Sequence, residues 1–151
     1  MANTQAMCTS FKSEILQAYH NFGTTVTRAG TGADTFKGAL YLASATVNAS
    51  TTAYSSTGEV TGTNYTAGGV TVTNATAPTT SGTTAYWTPS ASLTYTNVTL
   101  STAFDTVLIY NSTQSNRAVS VHTFGSQTIT AGTFTLTMPT NAAGTALLNI
   151  A

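Results

Sequence analysis

Short runs in which apolar side chains alternate with threonine recur along most of this chain, and each predicts a strand with one inward face. The clearest spans residues 133–138, where Phe134, Leu136 and Met138 alternate with Thr133, Thr135 and Thr137 before Pro139 ends the run. Residues 36–43 form another, with Leu40 and Leu42 on one face and Tyr41 on the other. Gly68 and Gly69 lead into a third at 70–73, and the tail 146–150 supplies a short last one. Residues 83–100 are interrupted by Pro89, which predicts an edge, a bulge or two separate strands.

The most apolar run, 104–110, contains Val107, Leu108, Ile109 and Tyr110 and predicts a central strand. The polar stretch 111–116 then turns the chain back into 117–124, where Val119 and Val121 share a face. Ala131 and Gly132 predict a turn between strands at 127–130 and 133–138. Residues 43–69 are less regular. Their Ser-Thr-Thr run is compatible with a turn of helix, and Tyr54, Val60 and Tyr65 are spaced to anchor a long ordered loop.

One stretch has helical spacing instead. Phe11, Ile15, Tyr19 and Phe22 fall on one side of a helix that Ser10 can cap and Gly23 can stop. Residues 23–32 read as a loop. Such a helix either packs on the body of its own chain or serves as an arm that docks on a partner subunit. The expected architecture is all-β. It is an antiparallel β-sandwich or jelly-roll-like barrel of six to nine short strands in residues 34–151, preceded by an N-terminal arm with a short amphipathic helix in residues 1–33. No repeat of fixed period is present, which argues against a propeller, a β-helix or a repetitive shaft.

Composition changes what the strands imply. Charged residues make up 5% of the 151-residue chain, against about 25% in an average globular protein. Four are basic and four acidic, so the net charge is zero and nothing concentrates the cations that nucleic acid requires. Neutrality also leaves association between copies unopposed. Threonine, nearly a quarter of the residues, fills the outer positions instead: it is β-branched, yet its hydroxyl tolerates water. No apolar run reaches the roughly 20 residues a membrane helix needs. The first residues lack the cationic and apolar regions of a signal peptide, which predicts synthesis and retention in the cytoplasm until assembly.

Candidate chemistry is sparse. Two histidines, four carboxylates and one cysteine are scattered, with no metal-ligand spacing and no glycine-rich phosphate loop. Asp105, His122 and one of many serines can be written as a triad, but so many serines make the match uninformative. Glu59 lies between glycines and reads as a turn carboxylate bonded to backbone N–H groups; Cys8 has no activating neighbour. The expectation is a protein that is not an enzyme, with no catalytic residues, cofactor or metal. Trp87 with Tyr86 and Tyr95 offers a stacking platform for sugar, but core or intersubunit anchoring weighs more heavily. The interaction candidates are therefore Phe11, Ile15, Tyr19, Phe22, Tyr86 and Trp87.

Several segments in order resemble a family of small virion structural proteins of tailed bacteriophages. They are residues 36–43 (FKGALYLA), 57–69 (TGEVTGTNYTAGG), 107–111 (VLIYN), 116–119 (NRAV), Phe124-Gly125 with Gln127-Thr128, and 132–139 (GTFTLTMP). The resemblance runs from about Asp34 to the C-terminus. It implies a capsid decoration or cement protein on the capsid surface of the virion, with the major capsid protein and copies of itself, as a dimer or trimer, for partners. Tail, connector or fibre subunits and a carbohydrate-binding adhesin module are the alternatives.

Overall fold

The structure is a computed structural model, and it describes residues 3–16, 18–23 and 32–151. The chain is all-β, with two antiparallel sheets and one short helix among the described residues. Helix α1 covers Thr9–Leu16. The larger sheet has five strands in the order β1 (Ala6–Met7), β7 (Arg117–Leu136), β6 (Leu93–Asn111), β2 (Phe36–Leu42) and β3 (Val70–Thr71). The smaller sheet orders β4 (Thr79–Ser81), β5 (Thr84–Trp87) and β8 (Leu148–Ile150).

Strand lengths depart from the sequence expectation. Six strands are short, but β6 runs for 19 residues and β7 for 20. Straight, such a hairpin would extend about 60 Å, whereas a compact chain of this size has a radius of gyration of about 15 Å. It must bend, and the register of β6 on β7 shifts at several points between Tyr95 and Tyr110. The residues expected to turn, Ala131 and Gly132, lie inside β7, with Ala131 in the left-handed region at φ 47°. A turn and a bulge call on the same backbone conformation, so the sequence signal is the same for both. Pro89 does separate two strands, β5 and β6.

Bending lets one hairpin supply two layers. The distal half folds back over β2, where Gly38 has no side chain: the Tyr95 hydroxyl donates to Gly38 O at 2.8 Å, and a Cβ on Gly38 would lie 2.6 Å from Leu93 Cδ1. Tyr95, Phe104, Phe124 and Phe134 join the layers through ring pairs 5.2–5.9 Å apart. Residues 107–110 are buried throughout, as expected of a central strand covered on both faces.

Residues 43–69 form the long ordered loop anticipated from its anchors. Tyr54 stacks on Tyr110 at 4.7 Å, Val60 is buried, and the Tyr65 hydroxyl accepts the Leu40 N–H. No turn of helix occurs in this loop. The loop also covers two edges: Ala53 bridges Arg117, and Thr63 bridges Thr99. Most of the loop expected at 23–32 lies outside the described residues.

Candidate interaction surface and the polar network behind it

Helix α1 ends earlier than its apolar spacing suggests. Ala18 adopts φ 56°, Tyr19 N donates to Glu14 O at 3.0 Å, and Ala18 N donates to Ile15 O at 3.0 Å. That pair of bonds is a Schellman closure with alanine at the left-handed position where glycine is usual. Tyr19 and Phe22 therefore lie beyond the helix, and Gly23 does not stop it. Gly23 (φ 86°) instead donates its N–H to Asn74 Oδ1, and a Cβ there would press on Ala77. Nor does Ser10 cap α1, because the helix begins at Thr9.

The turn sends Phe22 back onto the body. It stacks on Phe36 at 4.5 Å and meets Trp87 at 4.6 Å, while Phe11 contacts Phe22 edge-on at 6.0 Å. Five of the six sequence candidates, Phe11, Ile15, Phe22, Tyr86 and Trp87, line one apolar groove of about 170 Å³. His20, Pro78, Ala85, Leu148 and Ile150 complete it, and Ile150 (45% exposed) is the exposed large hydrophobic residue among those described. Tyr19 stands apart and half-buried, with the Arg117 guanidinium 4.1 Å above its ring.

Depth within the groove differs among these candidates. Phe11 and Trp87 are 1% and 2% exposed, and the Trp87 indole N–H donates to Thr76 O at 2.8 Å. They form its floor and hold the chain's own pieces together; Ile15, Phe22 and Tyr86, partly exposed, are what a visitor would touch. Trp87 and Tyr95 are both interior, so with Tyr86 they present no stacking platform for sugar.

Behind the groove lies a polar network that sequence reading missed. Glu14 receives Arg117 Nη1 at 2.6 Å and His20 Nε2 at 2.7 Å. The other His20 nitrogen accepts from Asn111 Nδ2 at 3.2 Å, and Asn111 Nδ2 also donates to Asp34 Oδ2 at 2.8 Å. These partners assign His20 as the neutral Nε2–H tautomer. Burial holds the His20 pKa below its ordinary value, with the Glu14 carboxylate opposing. Asn111 Oδ1 accepts the N–H groups of Thr113 and Gln114 and fixes the β6–β7 turn. Arm, β2 entry and hairpin are thus tied at one point. The available signal was scarcity: in a chain with eight charges, each buried one calls for a partner.

The remaining candidates for chemistry are dispersed. Glu59, also buried, accepts one backbone N–H, from Gly68 at 2.7 Å, plus the hydroxyls of Tyr54 and Tyr65 at 2.7 Å each. Asp105 accepts from Asn3 and Thr106. His122 shares a 2.8 Å hydrogen bond with Ser120 beside a cleft of about 280 Å³, and burial lowers its pKa to about 4. A serine–histidine pair thus exists without the Asp105 carboxylate behind it. Burial, with Glu14 nearby, pushes the Cys8 thiol up to about 12, so it stays protonated. Among the described residues, no three His, Cys, Asp or Glu side chains gather where a metal could bind, and no helix is long and apolar enough to cross a membrane.

The distal hairpin presents a surface of a different kind. No charged residue follows Arg117 in the sequence, and Thr128, Thr130, Thr133 and Thr135 on β7 are exposed. Comparison with protein-family models, with curated proteins and with solved structures gave no match. The fold and surfaces together define a neutral, threonine-faced, all-β protein with a latched arm.

Proposed function

We propose that this chain is a bacteriophage virion structural protein, a capsid decoration or cement protein that stabilises contacts between major capsid proteins. The observation that carries the reading is the distal hairpin surface: an exposed, uncharged, threonine-lined face on the two-layer body. Such a face meets neighbours through many modest hydrogen bonds and little charge desolvation, and repetition over a shell multiplies weak contacts into a firm one. The ordered resemblance to virion proteins, from about Asp34 to the C-terminus, supports the same reading. So does the groove, which gives an otherwise polar surface an apolar anchor point. The protein works by contact, with copies of itself and the major capsid protein as partners.

Quantitative mass spectrometry of purified particles tests this. The expected result is copy number in step with the major capsid protein, and particles lacking the protein that rupture at lower temperature or osmotic stress. A handful of copies per particle would assign it to the tail or connector. Absence from particles would end the virion reading.

A further inference from the structure

The outer edge of β7 is covered along its first part and bare along its second. Residues 116–118 meet the 52–54 backbone, Val119 O accepts the Cys8 N–H, and Ser120 and Val121 pair with β1. Beyond Val121, no strand or bridge among the described residues pairs with that edge. The opposite border of the distal layer is covered at residues 97–99, where Thr63 bridges Thr99 and Asn64 Nδ2 donates to Asn97 O. Among the described residues, one side is partly covered and the other is left open.

Edge strands in soluble proteins are blunted by lysine, inward charge, proline or a bulge. Along the bare stretch the register shifts between Thr123 and Gln127 and again around Ala131, and the second shift sets off the run 132–136. Within it Leu136, Thr135 and Phe134 pair consecutively with Leu93, Thr94 and Tyr95, and the register shift between Phe134 and Gly132 places the extra residue on β6. It contains no proline and no charge.

We infer that a second copy of this chain pairs with this edge. The two 132–136 runs would lie antiparallel about a two-fold axis at Phe134, placing Thr133 of each copy opposite Thr135 of the other. Three observations select a copy as the occupant. The edge is neutral, so facing itself brings no like-charge cost, and it offers no complementary charge to an acidic or basic partner. An antiparallel edge on a two-fold axis is self-complementary, each backbone bond occurring twice. Threonine opposite threonine is a favourable cross-strand pair. A five-residue run buries less than a standard interface, so the dimer is weak in isolation and gains force where copies are crowded. The inference rests on the assembly reading for its purpose alone: pairing in solution and copy number in particles are separate measurements, and either can fail without the other.

Sedimentation equilibrium on the intact chain, across micromolar to millimolar concentrations, should show a monomer–dimer equilibrium. Amide exchange should slow with concentration in residues 132–136. The double variant Thr133→Lys with Thr135→Lys should weaken the dimer by roughly tenfold or more, and an equimolar mixture with Thr133→Glu/Thr135→Glu should restore it as a heterodimer. Circular dichroism of each variant checks that the fold persists, and Thr61→Lys, exposed but off the edge, should leave the dimer unchanged. A strictly monomeric wild type, a dimer indifferent to both charge variants, or protection confined to another segment would overturn the inference.

Discussion

The two halves of the β6–β7 hairpin belong to the same pair of strands yet are buried very differently. In the proximal half, residues 107–111 and 118–121 are all buried, and β1 and the 52–54 backbone close the edge. In the distal half the inward positions Leu93, Tyr95, Val98 and Leu100 of β6 are buried, while β7 keeps exposed threonines and an open edge. Both halves have strong β-formers, so propensity does not distinguish them. A continuous apolar run needs cover on both faces, whereas strict alternation with threonine leaves one face for water or a neighbour.

Core truncation should break that comparison most forcefully. Leu108→Ala in the proximal half is expected to cost about 2–5 kcal/mol, and Leu136→Ala in the distal half about 1 kcal/mol because its side chain is already partly in water. Urea titrations of both variants measure the gap; equal losses would mean that the halves are equally packed. Glu59→Gln should come next, at about 1–3 kcal/mol, since an amide cannot accept every hydroxyl and N–H now donated to the carboxylate.

A further effect follows from pH. The folded His122 has its pKa lowered from 6.5 to about 4, so the folded chain resists a proton that the unfolded chain accepts. Stability should be full above about pH 6.5, fall as pH drops toward 4, and level off below that. Chemical denaturation across this range, with His122→Gln flattening the dependence, is the measurement; His20, also lowered, adds a slope of the same sign. The smallest change is Thr135→Ala, on the exposed distal face, expected within about 0.5 kcal/mol of wild type by the same titration.

What the sequence made legible was periodic. Alternation located the main strands, the run from Val107 to Tyr110 marked the centre, and the 111–116 loop was recognisable because polar turn residues separate two apolar runs. The aromatic spacing of Tyr54 and Tyr65 anticipated an anchored loop. What remained hidden depends on distance in space. Nothing local links Phe22 to Trp87 or Glu14 to Arg117, and both contacts need the folded body to exist first. The end of α1 was masked because Ala18 takes a left-handed conformation without a glycine to announce it. The Ala131–Gly132 signal was real, but a bulge and a turn draw on the same residues, and only pairing partners decide between them.

Trp87 is the single tryptophan in the chain, and it stands where three separately encoded pieces converge: Phe22 from the arm, Phe36 from β2, and its own strand in the smaller sheet. Its dry, hydrogen-bonded indole gives the molecule a built-in optical gauge. Excited at the red edge, where the seven tyrosines are silent, its emission should sit toward the blue while the pieces are joined and move red when the arm lifts away. Fluorescence from one ring thus reads the latch directly in the free chain, without any added label.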